Sequence, residues 1–380
     1  MIGTIGVDLQ RSRAAITLME WTAGMPRHGS VGDGRRILVP MAATGTLWGS
    51  AAAEATLAGL PAAAPLAGSL HAWRQDPWRP EFLDGLRARL AGYLGQAPLT
   101  PMRTHQLSVC VDPAERPADA ADLLDAAGLP GVELVGPLDA LICRWLSATV
   151  RPAPGPVIAV AIGEAATQIG TYVVEPGPPP SIRAGTVTRL DAGCSGWTTA
   201  VATRVLGLCR PGVPPRALLA LLDGVDEFAA LVRNAPADDA PVEWTGPLTR
   251  HMFNPLRTTR HDLAAERAIV EVTLPIVAAV RRALGSVAVP VPLIIGGPGA
   301  AWPFVAGALA DVAQVWSSGD PLLDLAVGAC WWPPLRPVFR AGPALPPAEP
   351  VSAAAPRSER APEPWEPPAA DDDLLPWERP

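Results

Sequence analysis

Two hydrophobic periods alternate along this chain, and the switches between them mark its elements. Short apolar runs read as strands at TIGVDL (4–9), AAITLM (14–19), RILVP (36–40), QLSVCVD (106–112), VELVG (132–136), VIAVAI (157–162), QIGTYVV (168–174), VPLIIGG (291–297) and AQVWS (313–317). Between several of them apolar residues return at helical spacing: PEFLDGLRARLAGYLG (80–95), PADAADLLDAAG (117–128), LDALICRWLSATV (138–150), TTAVATRVLGL (198–208), RHDLAAERAIVEVTLPIVAAVRRALG (260–285) and WPFVAGALADV (302–312). Strands alternating with helices predict an α/β chain, with sheets flanked by helices.

One pattern occurs twice. TIGVDLQRSRAAITLME (4–20) and VIAVAIGEAATQIGTYVVE (157–175) both read strand, short turn of polar or small residues, second strand. One such hairpin opens each half, which divides the chain into lobes at 1–150 and 151–335. Residues 336–380 are rich in proline, alanine and acidic side chains. Such a segment buries too little apolar area to offset its ordering entropy and is expected to be disordered. Trp365 in EPWEP and Trp377 in LPWER are candidate docking anchors for a protein partner.

Composition narrows the chemistry. The net charge is −7 and every cationic side chain apart from histidine is arginine. Without lysine there is no Walker-A loop, no Schiff base and no lysine general base. The arginines are scattered, so nucleic acid is not an expected partner. Five cysteines, Cys110, Cys143, Cys194, Cys209 and Cys330, have no C-x-x-C spacing and read as buried small hydrophobes in a reducing compartment. No signal peptide and no apolar run of membrane-spanning length are evident, so a cytoplasmic protein is expected.

Taken in order, these pieces resemble the actin, sugar-kinase and heat-shock-chaperone ATPase superfamily, most closely the nucleotide-binding domain of DnaK-type chaperones. The family's first hairpin, G-x-D-x-G-T-T-N-S, is similar to the stretch holding Gly6, Asp8, Gln10, Arg11 and Ser12. Its second, D-L-G-G-G-T-x-D, lines up with residues 161–168, which include Gly163 and Glu164. ILVPMAATGTLWGSAAAEA with Gly49, SVCVDPAERPADAADLLDAAGL, GPLDALICRWL with Pro137, and LTRHMFN resemble further family segments. LIIGGPGAAWPFV, with Gly296, Gly297 and Gly299, resembles the adenosine motif V-G-G-x-x-R-x-P, and DPLLDLAVGAC resembles the family's P-x-x-A-V-A-x-G-A-A segment. The resemblance spans residues 3–335. It implies an actin-like (ribonuclease-H-like) two-lobed fold of duplicated mixed sheets, with two hairpins clasping the phosphates of ATP and a Mg²⁺ ion.

Much of the implied chemistry is missing. Asp8 matches the first-hairpin aspartate and is the one candidate metal residue. The second-hairpin aspartate is Ala161, the later one is Gln168, and the γ-phosphate threonine falls at Ala166 or Thr167. The interlobe glutamate is Gly136, the helix-start lysine is Ala53, and the adenine-stacking arginine is Ala300 or Ala301. Of the basic adenosine clamp only Arg233 remains. Arg11 adds a cation suited to an anion, whereas Gln10 adds bulk and Glu164 brings a repulsive charge. No catalytic residue is therefore assigned, and ATP and Mg²⁺ are expected to bind weakly or not at all. The resulting expectation is a pseudo-ATPase acting as a scaffold or regulator of a protein partner. The alternatives are a divergent DnaK-type ATPase or chaperone with weak hydrolysis, and an actin-like filament former using tryptophans such as Trp331 and Trp332.

Overall fold

A computed structural model describes residues 3–10, 14–22, 25–30, 105–126, 131–149, 152–177, 180–209, 217–244, 255–285 and 291–340. The strand expected at 36–40, the helix at 80–95 and the LTRHMFN segment lie outside the described residues. So do Arg11, Ser12, Gly49, Ala53, Trp365 and Trp377.

Strands β1 (Gly3–Leu9), β2 (Ala14–Thr22), β3 (Met25–Ser30), β4 (His105–Val111) and β5 (Glu133–Val135) form one mixed sheet in the order β3-β2-β1-β4-β5. Antiparallel pairing joins β1 to β2 and β2 to β3, whereas β1–β4 and β4–β5 are parallel. After β6 (Gly155–Ile162), β7 (Thr167–Glu175) and β8 (Ser181–Leu190), a small pair, β9 (Val242–Trp244) with β10 (Leu256–Thr258), stands apart from the second sheet. That sheet is completed by β11 (Pro292–Gly296), β12 (Gln314–Trp316) and β13 (Phe339–Arg340), in the order β12-β11-β6-β7-β8-β13. Read as β8-β7-β6-β11-β12, it repeats the order and the strand senses of the first sheet. The duplication visible in the two hairpins thus extends over five strands. Parallel neighbours need a crossover, and among the described residues those from β4 to β5, β6 to β11 and β11 to β12 carry helices.

Eight helices accompany the strands among the described residues: α1 (Pro117–Ala126), α2 (Pro137–Ala148), α3 (Cys194–Gly207), α4 (Ala217–Arg233), α5 (Arg260–Ala265), α6 (Arg267–Gly285), α7 (Phe304–Gly307) and α8 (Asp324–Leu335). Central strand β6 is apolar without alternation because both its faces are covered. Ile158, Val160 and Ile162 join a core with α3, α4 and α6, while Val157, Ala159 and Ala161 join a second core with α2 and α8. That second core also takes in Cys110 and Val135 of the first sheet, so the two sheets share it.

Helices α2 and α8 make this sharing possible. α8 lies on β1, β2 and β4, α2 lies on β6, β7 and β11, and the two helices pack on each other. The approach is close enough to touch backbone. A Cβ at Gly6 would fall on the Ala326 carbonyl and the Cys330 amide, and one at Gly328 on the Ala140 carbonyl. Thr4 Oγ1 donates to the Cys330 carbonyl at 2.8 Å, and the Cys330 thiol donates back to the Thr4 carbonyl at 3.1 Å.

Some elements differ from expectation for local reasons. The helix expected over 260–285 breaks at Glu266, whose backbone is extended. Thr259 and Asp262 start α5 with a capping box, and the Glu266 carbonyl then receives the Ile269 and Val270 amides that open α6. The Glu266 carboxylate pairs with Arg204 of α3, which fixes the corner. Over 302–312 only Phe304–Gly307 is α-helical, because its apolar residues serve packing instead of a helical stripe. Trp302 stacks on Phe304 with centroids 5.4 Å apart, and Phe304 meets the edge of Trp197 at 5.5 Å. β3 and β8 carry no clean period and were not expected; α4 was not expected either, although its buried Val225, Phe228, Ala229 and Val232 recur at helical spacing. The sequence MPRHGS of β3 is tolerated as a strand at the sheet edge, where Pro26 can sit without breaking a ladder on both sides. No helix among the described residues is long and apolar enough to cross a membrane.

Candidate functional site

The two hairpin turns meet, and the positions that matter are equivalent in the two sheets. Asp8 is the next-to-last residue of β1, flanked in register by Ala15 of β2 and Cys110 of β4. Ala161 is the next-to-last residue of β6, flanked by Gln168 of β7 and Gly296 of β11. Asp8 lies on the same strand face as Gly6, the face covered by α8, and Ala161 lies in the core formed with α2 and α8. The first half therefore presents a carboxylate where the second presents a methyl group.

Gln10 fills the gap between the turns. Its Nε2 donates to Asp8 Oδ1 at 2.5 Å, and its Oε1 accepts the Glu164 backbone N–H at 3.3 Å. The orientation of the amide is dictated by its partners, since the carboxylate only accepts and the N–H only donates. Asp8 and Gln10 are each 1 % exposed and Glu164 is 3 % exposed, so the contact is dry.

A second pin comes from Asp112, immediately after β4. Its Oδ1 accepts the Ala114 N–H at 2.8 Å, an Asx turn at a strand end, and its Oδ2 accepts the Ala165 N–H at 3.0 Å. Gly163 sits against the same loop, where a Cβ would lie 2.7 Å from Asp112 Oδ2. With the Gly163 N–H on the Ala166 carbonyl at 2.9 Å, three successive amides of the second turn, at Gly163, Glu164 and Ala165, are all held by protein oxygens. The start of α3 is engaged too: the Cys194 N–H donates to the Gly163 carbonyl at 3.0 Å and the Ser195 N–H to the Glu164 carbonyl at 2.9 Å. These carbonyl partners explain why α3 begins earlier than its apolar period suggests. Thr167, the second candidate for a phosphate-lining hydroxyl, donates to the Ala192 carbonyl at 2.6 Å, and Ala166 is buried.

The glycine turn after β11 is packed against the same strand end. Gly297 has φ +86°, which favours glycine, and a Cβ there would lie 2.8 Å from the Ile162 carbonyl. Gly299 rests on the Ile162 side chain, and Gly296 faces Leu141 and Asp324. Ala300 and Ala301 are buried beside Trp302. Arg233 is turned to the loop after β12, donating to the Gly319 carbonyl at 2.9 Å. Gly136 caps α2 without a side chain, and the carboxylate of that first turn is Asp139, which receives the Tyr172 hydroxyl at 3.0 Å. Burial pushes the Asp139 carboxyl up, and the Tyr172 bond pulls it back.

Among the described residues, the carboxylates of Asp8, Asp112 and Glu164 gather at the clasp. Burial pushes the Cys110 thiol well up, and the Asp8, Asp112 and Asp139 carboxylates push it the same way. Carboxylates so placed oppose a phosphate. Among the described residues no group of three or more His, Cys, Asp or Glu side chains is placed to hold a metal ion. Tested against a Mg²⁺–nucleotide, these residues do not fit. Among the described residues, the amides of the second turn and of the α3 N-terminus already have protein partners, and the position equivalent to Asp8 is Ala161.

Sequence reasoning missed two residues. Asp112 carried a turn signal in Asp-Pro, but its bond to Ala165 joins positions 53 residues apart and leaves no local trace. Asp324, at the start of α8, is fully buried; Arg144 Nε reaches its Oδ1 at 3.3 Å, while its Oδ2 has no hydrogen-bond partner among the described residues. Burial pushes its carboxyl up to about 6, with Ser318 and Arg144 pulling down and Asp320 adding to the rise. A charged residue inside an apolar helix start was the available signal. No family model and no curated protein sequence matches the chain.

Proposed function

We propose that the chain is a non-catalytic protein of actin-like (ribonuclease-H-like) fold, related to the nucleotide-binding domain of DnaK-type chaperones, working as a scaffold or regulator through protein–protein contacts. The observation that carries this reading is the pair of equivalent strand positions Asp8 and Ala161, which offer one carboxylate where the resembled family has two. The repeated strand order supports the fold, and the engaged turn amides support the loss of nucleotide chemistry. Metal-assisted phosphoryl transfer needs charge stabilisation on both sides of the transferring group, and removal of one such electrostatic donor typically slows a reaction about 10²–10³-fold.

The test is phosphate release and titration calorimetry on the full chain with ATP, with and without Mg²⁺. Neither hydrolysis nor Mg²⁺-dependent heat is expected. Mg²⁺-dependent hydrolysis abolished by Asp8→Ala would overturn the proposal in favour of a divergent DnaK-type ATPase, the reading that the retained Asp8 favours. A filament former would scatter light with rising protein concentration. Against it, Trp332 is engaged within the chain: its Nε1 donates to Glu133 at 2.7 Å and its ring packs on Phe339, with centroids 5.1 Å apart.

A further inference from the structure

We propose that the clasp is latched by the chain itself: Gln10 and Asp112 hold the β6–β7 turn against the first sheet. The inference deepens the reading above and rests on it for the meaning of the clasp. Its bonds stand on geometry alone. Gln10 follows β1 and Asp112 follows β4, adjacent strands of one sheet, and the Asp112 N–H continues their ladder onto the Leu9 carbonyl at 3.1 Å. The two side chains therefore start from neighbouring, fixed points. They end on consecutive amides, Glu164 and Ala165, of a turn belonging to the other sheet.

The choice of side chains fits the task. A glutamine carries acceptor and donor in one planar group, so it bridges an N–H on one side and a carboxylate on the other. A glycine or alanine at position 10 would leave the buried Glu164 N–H without this acceptor and would remove the amide donor from Asp8. Asp112 uses one oxygen to shape its own loop and the other to hold the turn. From the far side, the α3 N-terminus holds the carbonyls of Gly163 and Glu164. Both edges of the turn peptide units are thus fixed by protein groups.

Amide hydrogen exchange on the full chain, with and without ATP plus Mg²⁺, tests the latch. In wild-type protein without nucleotide the Glu164 and Ala165 amides should exchange slowly, and adding ATP plus Mg²⁺ should leave them unchanged. Gln10→Ala should speed exchange at Glu164, and Asp112→Ala at Ala165, by about tenfold each, the equivalent of one lost buried hydrogen bond. Amides of β11 serve as the control for global opening. Should a variant unfold, β11 exchanges as well and the wild-type arm decides alone. Unprotected exchange at Glu164 and Ala165 in the ligand-free wild type, protection gained only with ATP plus Mg²⁺, or folded variants with unchanged exchange would each overturn the latch. Hydrolysis by a chain whose turn is already protected without ligand would overturn the functional proposal and leave the latch standing. An unprotected turn in a chain that hydrolyses nothing would do the reverse.

Discussion

Replacing Asp324 by asparagine should flatten the pH dependence of stability, and the size of the effect follows from its surroundings. The carboxyl is buried at the junction of α2, β11 and α8, with one oxygen held by Arg144 Nε at 3.3 Å and Gly296 close beside the other. Desolvation outweighs the help from Ser318 and Arg144 and moves the carboxyl from an ordinary 3.8 to about 6. At about 1.4 kcal/mol per pH unit, the full linkage is about 3 kcal/mol. The folded chain holds this proton more tightly than the unfolded chain. Its stabilising contribution is therefore complete below the unfolded value near 3.8 and is lost as pH rises through about 6. Between about pH 4.5 and about pH 7.5 the loss is about 2 kcal/mol. The assay is urea unfolding of wild type and Asp324→Asn at both pH values. Taking the difference of differences cancels every other titrating group and any constant effect of the amide. The wild type should lose about 2 kcal/mol relative to the variant on going to the higher pH. Parallel profiles, within about 0.5 kcal/mol, would refute the reasoning and mean that Asp324 stays charged throughout.

Gly6→Ala should destabilise the fold by about 3 kcal/mol in thermal or urea unfolding, because the added methyl meets the backbone of α8, which cannot rotate away. Arg260→Ala should cost about 2 kcal/mol in the same assay, because its guanidinium donates to the carbonyls of Val232, Arg233 and Ala235 at and just after the C-terminal end of α4. Trp197→Phe should cost about 1 kcal/mol through the lost 3.1 Å bond to Thr273, whose hydroxyl keeps its own bond to Ile269, whereas Trp197→Ala should cost about 4 kcal/mol through the cavity; denaturant midpoints separate the two.

Period and sense were legible where a strand is covered on both faces or a helix presents one stripe. VIAVAI announced β6 because covering both faces leaves no room for polar alternation, and LDALICRWLSATV announced α2 because its apolar residues return every turn. β8 was hidden because its residues are half-buried on both faces, so SIRAGTVTRL shows neither period. The duplication was visible in the hairpins, since each is contiguous in sequence. The remainder of each sheet depends on crossovers, which a reading of short windows does not resolve. At the site, residue identities were readable and distances were not. Gln10 stood out as bulk where the resembled family carries glycine. That its amide would bridge Asp8 to a turn more than 150 residues onward depends on how α2 and α8 bring the two sheets together.

On the proposed reading, the latch also explains how a clasp can lose its ligand and keep its shape. In a nucleotide-dependent clasp, ligand at a hundredfold its dissociation constant contributes about 2.7 kcal/mol to the state that binds it. The two bonds across this clasp supply a comparable amount. Gln10 to Glu164 is a neutral pair worth about 1 kcal/mol, and Asp112 to Ala165 has a charged acceptor worth about 2 kcal/mol. Together with the shared core of α2 and α8, they favour one arrangement of the two sheets whether or not nucleotide is present. A switch must have two states of similar free energy, and a ligand moves it only by its differential affinity for them. Contacts built into one state remove that balance. A chain fixed in this way offers a partner a single constant surface, which is the property a scaffold needs and a nucleotide-cycled chaperone avoids.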